Sequence, residues 1–192
     1  MKRSDQDRKA LLADAAIDAI GEDGLRGLTH RAVDQKAGLP PGTCSYHFST
    51  RRALLAAVLQ RIAELDRADI ERFNVGPLSS EMEAEALIDG ATRTLRHWLG
   101  PARARSRARL LLELDPPSRQ LMAETVDAVT IDFVAFAAII TGDKERAELI
   151  VALIDGLVLD ELTHGAVPVD VDRLRRKVAA VTALALPGRC AE

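Results

Sequence analysis

The chain has 192 residues, 47% hydrophobic and 29% charged, with a net charge of −3. That suits one domain or two small ones with a real core and a soluble surface. Two cysteines far apart exclude a disulfide framework and fit a reducing cytosol, so the expected location is cytoplasmic. No apolar run approaches the ~18 residues a membrane span needs, and the N-terminus lacks the pattern of a signal peptide. Aromatics are only 3%, and Ala, Leu, Arg and Glu outnumber β-branched residues, which favours helices.

In chain order, Leu11/Leu12, Ala15/Ala16 and Ala19/Ile20 recur every four residues and predict a first helix ending at Gly21 and Gly24. Thr29 is a good N-cap for a second helix, HRAVDQKA, which stops at Gly38. Pro41 fits the first turn of a short third helix, PGTCSYHF. Thr50 caps a long fourth, with Leu54, Leu55, Val58, Ile62, Leu65 and Phe73 in helical period. Residues 74–80, NVGPLSS, read as a loop. A fifth helix carries Leu87, Ala91, Leu95 and Trp98 and ends at Gly100-Pro101. A sixth, from about Ala102 to Asp115, is broken by Pro116-Pro117. A seventh places Met122, Val126, Val129, Phe133, Phe136 and Ile140 at alternating spacings of four and three. The eighth, from Gly142 to about His164, bears two apolar stripes, which implies burial on two sides. The ninth has Val171, Leu174, Val178, Val181 and Ala185, a heptad-like seam. The expected fold is all-α with about nine helices and no strand.

Residues 1–52 carry a charge balance of +2 and the remainder −5, so the small net charge hides a positive N-terminal segment. That segment holds the second and third helices, separated by Gly38-Leu39-Pro40. Two short helices joined by a glycine-started turn are a helix-turn-helix, whose second helix lies in the DNA major groove. Gly42 would let the backbone approach closely. Thr43, Ser45 and Tyr46 reach towards bases or phosphates, and His47, Arg51 and Arg52 lie at the junction with the fourth helix. Amides opening the fourth helix, beside two arginines, make a phosphate clamp. Cys44 and Phe48 are expected in the core shared by the first three helices.

The spacing AG-x-x-x-G-T, an aromatic/His-Phe pair, then Ser/Thr-Arg-x-x-Leu-Leu over residues 8–59 resembles the TetR family of bacterial repressors. The resemblance implies a helix-turn-helix domain (1–52) and a helical ligand-binding and dimerisation domain (53–192). It implies a regulator, not an enzyme, that binds double-stranded DNA as a homodimer on a palindromic operator and is released by a small-molecule effector. It places Thr29, Arg31 and Arg51 on phosphates, Gly42 and Thr43 at the groove, and His47 on backbone phosphate. Three positions depart from the family pattern. The usual tyrosine position holds Ser45, and Tyr46 stands one place on, a rotation of about 100°, so it could read a base, hold a phosphate or pack. Pro40 replaces the usual Ser/Thr cap of the third helix, so that cap bond is expected to be absent. Asp34 stands where a small residue is commoner and is expected to face solvent.

Helices eight and nine carry more apolar surface than outer helices need. Ile150, Ile154, Leu157, Leu174, Val178 and Val181 are the candidate dimer interface, pairing into a four-helix bundle, with Gly156 allowing close approach. Trp98, Met122, Phe133 and Phe136 are candidate ligand-pocket residues, although for any one of them a plain core position is the better reading. His30, His47, His97 and His164 show no metal spacing, and neither metal nor cofactor is expected. Arg103, Arg105, Arg107 and Arg109 are two apart, which spreads charge around a helix and points to a solvated or salt-bridged element. The alternative function is an all-α small-molecule-binding protein without DNA-binding activity.

Overall fold

The computed structural model describes residues 2–73, 83–125 and 133–185. Among them are ten helices and no strand: α1 (Lys2–Asp23), α2 (His30–Lys36), α3 (Thr43–His47), α4 (Arg51–Phe73), α5 (Ala84–Leu99), α6 (Arg103–Leu114), α7 (Pro116–Thr125), α8 (Phe133–Thr141), α9 (Lys144–Thr163) and α10 (Val171–Ala185). The chain divides into two compact units, one of residues 1–66 with 103–130 and one of residues 67–102 with 131–192.

The first unit is larger than the three-helix head expected from sequence. Leu12, Ala16, Ile20, Leu28, Val33, Cys44, Leu54 and Val58 form its centre, joined by Ala108 and Leu112 of α6 and Leu121 of α7. The first three helices enclose too little apolar surface alone, and α6 supplies the missing wall. Its approach explains Gly21, which does not end α1 as the sequence suggests. The helix runs on to Asp23, and a Cβ at Gly21 would overlap the Ala104 backbone of α6. Ion pairs tie the periphery. Arg61 of α4 donates two hydrogen bonds to Asp14 of α1 (2.7 and 3.1 Å). Lys36 of α2 pairs with Glu22 at 2.7 Å. Two of the four alternating arginines of α6 are salt-bridged to one carboxylate: Arg105 Nε lies 3.1 Å from Asp66 Oδ1 and Arg109 Nη1 3.7 Å from Oδ2.

In the second unit α5 packs against α10, and α9 against both α8 and α10. Ile88, Leu95, Trp98, Leu99, Ala147, Val158 and Leu162 are buried. Arg175 of α10 bonds Glu85 and Asp89 of α5, and Lys177 donates to Asp160 (2.7 Å) and Glu161 (2.5 Å) of α9. The described residues of the seventh predicted helix fall in α7 (Met122) and in α8 (Phe133, Phe136 and Ile140). Val126 and Val129, between them, lie outside the described residues, as does Cys190.

Candidate DNA-binding surface

The head is built from α2 and α3. Thr29 is extended (φ −127°, ψ 150°), and its hydroxyl accepts from the Ala32 amide at 3.2 Å, capping α2 as its sequence position predicts. Gly38 ends α2 in the left-handed region (φ 64°). Its amide donates to Gln35 O, and that of Leu39 donates to Asp34 O (2.9 Å), the paired bonds of a Schellman stop. His30 Nε2 donates to the Phe48 carbonyl at 2.7 Å and so joins the start of α2 to the end of α3.

The third helix starts later than the sequence suggests. Pro40 to Thr43 form a β-turn closed by Thr43 N–H to Pro40 O (3.2 Å), with Gly42 at φ 93°, ψ −11°, the third position of a type II turn. The glycine is required there by its positive φ. The space its Cβ would occupy is open, so close approach within the chain is not the reason. Asp34 corrects a second expectation. It does not face solvent: it is 3% exposed, and its carboxylate accepts from the amides of Gly42 (2.8 Å) and Cys44 (2.7 Å). The cap that Pro40 cannot provide comes from α2. Sequence reasoning missed it because the donor and acceptor lie on different helices; the paired departures at positions 34 and 40 were the available signal.

Beyond that clamp, Thr43 Oγ1 donates to Pro40 O (2.7 Å) and Ser45 Oγ to Gly42 O (2.9 Å); Thr43 is half-buried and Ser45 exposed. Tyr46 is 84% exposed, its ring edge-on to His47 at 5.1 Å. His47 is mostly covered, with Nδ1 3.3 Å from Asp5 of α1. Cys44 and Phe48 are in the core as expected. Burial, with the Asp34 carboxylate adding to it, pushes the Cys44 thiol up to about 11. Arg31 is exposed and has no side-chain bond among the described residues. Arg51 is committed within the chain, since its guanidinium donates to the carbonyls of Leu28 and Leu25. Arg52 pairs with Glu124 of α7, and Thr50 Oγ1 caps α4 through the Ala53 amide (3.1 Å).

These geometries sit inside two matches to known families. Residues 12–58 match the profile "Bacterial regulatory proteins, tetR family", and residues 82–187 match "Tetracyclin repressor-like, C-terminal domain". The chain belongs to the TetR family. It is therefore a DNA-binding, ligand-responsive transcription regulator. Among curated relatives, the HTH-type transcriptional regulator BetI of Escherichia coli K12 is 27% identical over 176 residues, 86% of this chain and 87% of BetI. A TetR-family member from Streptomyces coelicolor A3 is 30% identical with a TM-score of 0.66, covering 91% of this chain and 97% of that one. The multidrug binding protein EbrR, solved with ethidium, is also 30% identical (TM-score 0.62; 91% and 98%).

The remaining candidates divide between the units of this TetR-family chain. Met122 packs on the core of the first unit, whereas Trp98, Phe133 and Phe136 belong to the second. In the second, Trp98 is buried with its ring edge-on to Phe133 at 5.9 Å, and Phe136 is half-buried on α8. Asp69, near the end of α4, accepts from Trp98 Nε1 (3.1 Å) and lies 3.3 Å from His97 Nε2. Of the dimer candidates, Leu174 and Val178 are 1% exposed and Leu157 is buried; all three are consumed by this chain's own packing. Ile150, Ile154 and Val181 are half-buried. The outward face of α9 is instead Leu149, Ala152, Gly156 and Leu159, spaced three, four and three. Periodicity locates apolar stripes but cannot say which neighbour covers each one.

Proposed function

We propose that this regulator is a repressor that binds a palindromic operator as a homodimer and is released by a small molecule. The observation that carries the reading is the head itself. A short helix, clamped at its start, presents Tyr46, Ser45 and Thr43 outward, with Arg31 beside it. A single five-residue helix reads few bases, so two heads related by a twofold axis are needed for a distinctive site. The Leu149/Ala152/Gly156/Leu159 face of α9 is the surface for that pairing, with the half-buried Ile150, Ile154 and Val181 at its margins. Leu157, Leu174 and Val178 back it from inside.

The effector site of this reading is in the second unit, around Trp98, Phe133 and Phe136. The ethidium-binding relative EbrR supports a pocket for flat aromatic compounds in this architecture. The end of α4 is tied to α5 by the Asp69–Trp98 bond, by the Phe73–His97 ring contact (5.3 Å) and by Arg93 donating to Phe73 O (3.3 Å). A compound that displaces Trp98 pulls on the helix whose other end carries Arg51 and Arg52. A tenfold loss of DNA affinity needs only about 1.4 kcal/mol of preference for the released state. The protein would act in the cytoplasm, where its DNA is.

The test is fluorescence anisotropy of the protein with labelled fragments from a genome-wide pool and with scrambled controls, across a salt series. Sequence-dependent binding that falls steeply with salt is expected, with Arg31→Ala reducing the salt slope by about one per head. Binding that is equal for all fragments and insensitive to salt refutes the reading.

A further inference from the structure

The start of the recognition helix is organised by one side chain outside it. Asp34 uses three acceptor positions on this turn. Its backbone carbonyl takes the Leu39 amide (2.9 Å), and its two carboxylate oxygens take those of Gly42 (2.8 Å) and Cys44 (2.7 Å). The amide between them, Thr43, is held by Pro40 O. Amides 42 to 44 are thus all satisfied inside the chain, and a buried negative charge stands behind them. A five-residue helix cannot hold its own shape, because its nucleation is unfavourable and few bonds offset that cost. Its proline-flanked start has no side-chain cap of its own.

We propose that Asp34 is a positioning residue for operator reading: it fixes α3 for base contacts and denies the helix start to phosphate, so it favours specific over non-specific binding. The inference rests on the DNA-binding reading above. Without the clamp, the reading conformation of α3 is only partly populated, and operator affinity falls by that fraction. Non-specific binding follows charge rather than helix placement. Removing Asp34 deletes a negative charge beside the DNA and frees two amides, so binding to scrambled DNA holds or tightens. The two affinities move apart, whereas general unfolding of the head lowers both.

The experiment uses full-length wild type, Asp34→Ala and Asp34→Asn. The DNA is a fragment that the wild type selects from a random-sequence pool, with a scrambled fragment of equal length beside it. Far-ultraviolet circular dichroism verifies the helical fold of each variant, and amide hydrogen exchange is followed at Gly42 and Cys44. In Asp34→Ala the expected loss of operator affinity is about tenfold or more. Scrambled-DNA affinity stays equal or tightens up to about threefold. Both amides exchange faster, and Asp34→Asn, which keeps one acceptor oxygen, falls between. If Asp34→Ala does not fold, Asp34→Asn carries the comparison. A wild-type ratio of operator to scrambled affinity in a folded variant overturns the proposal, and so does an equal drop in both. If the wild type selects no fragment, the DNA-binding reading itself falls, a result distinct from either of these.

Discussion

Arg105→Met tests how α6 is fixed to α4 in the first unit. Arg105 and Asp66 are both more than nine-tenths buried, with Nε and Oδ1 3.1 Å apart. Truncating one member of such a pair leaves a charge in a poor solvent, at a cost of about 3–5 kcal/mol. Arg109 remains at 3.7 Å from the other carboxylate oxygen, which places the expected loss near the low end, about 3 kcal/mol. For a unit of this size that lowers the melting temperature by more than about 10 °C. The double variant Asp66→Asn/Arg105→Met removes both charges, and its loss should be smaller than the sum of the singles by about 2 kcal/mol. Unfolding should be followed by circular dichroism, because the single tryptophan, Trp98, belongs to the second unit and its fluorescence reports elsewhere. Single variants that melt like the wild type, or a strictly additive double, would refute the claim that this ion pair is a buried and coupled tie.

Gly21→Ala drives a methyl into the Ala104 backbone and should cost about 1–3 kcal/mol in urea unfolding. Gly156→Ala, with open space around it among the described residues of its own chain, should leave the fold of a single protomer equal or firmer by up to about 1 kcal/mol. Cys44 should resist iodoacetamide at pH 8 until denaturant is added, with mass spectrometry locating the label. Its raised thiol pKa means the unfolded chain ionises first, so its contribution to stability is intact below about 9 and declines as pH rises towards about 11. Tyr46→Ala should change stability by less than about 0.5 kcal/mol, since the side chain is exposed. The same variant should weaken operator binding about tenfold, a loss of the size that one base contact confers; unaltered binding would show that the tyrosine does not touch DNA.

The helices were legible because each buries a stripe whose spacing survives in the sequence, from Leu12 and Ala16 in α1 to Leu174 and Val178 in α10. The helix-turn-helix was legible because its turn needs glycine at position 38 and little else satisfies it. What was not legible depends on a partner distant in sequence. Gly21 reads as a helix end, yet it is a point of contact with α6. Leu174 and Val178 read as a seam for a second chain, yet α5 and α9 already surround α10. Met122 and Phe133 share a helical period but belong to different units. In each case the local pattern was sound, and the identity of the covering surface was the unknown.

The arginines show the same division between pattern and partner, with a consequence for binding. Arg51 holds the position expected to grip phosphate, but its guanidinium already closes the segment between α1 and α2 through Leu25 O and Leu28 O. Any phosphate it meets sees only its remaining N–H groups, so its replacement loosens the head as well as removing a charge. Arg52 can meet DNA only by leaving Glu124, and exposed pairs of that kind are worth about 0–1 kcal/mol, little enough for a phosphate to displace. Among the described residues Arg31 has no such prior commitment. On the proposed DNA-binding reading the three residues would contribute differently: Arg31 as direct electrostatic attraction, Arg52 through an exchange of partners, and Arg51 chiefly by holding the loop from which α2 begins. A charge count treats them as equal, but the geometry makes Arg31 the cleanest probe of phosphate contact and Arg51 the most misleading one.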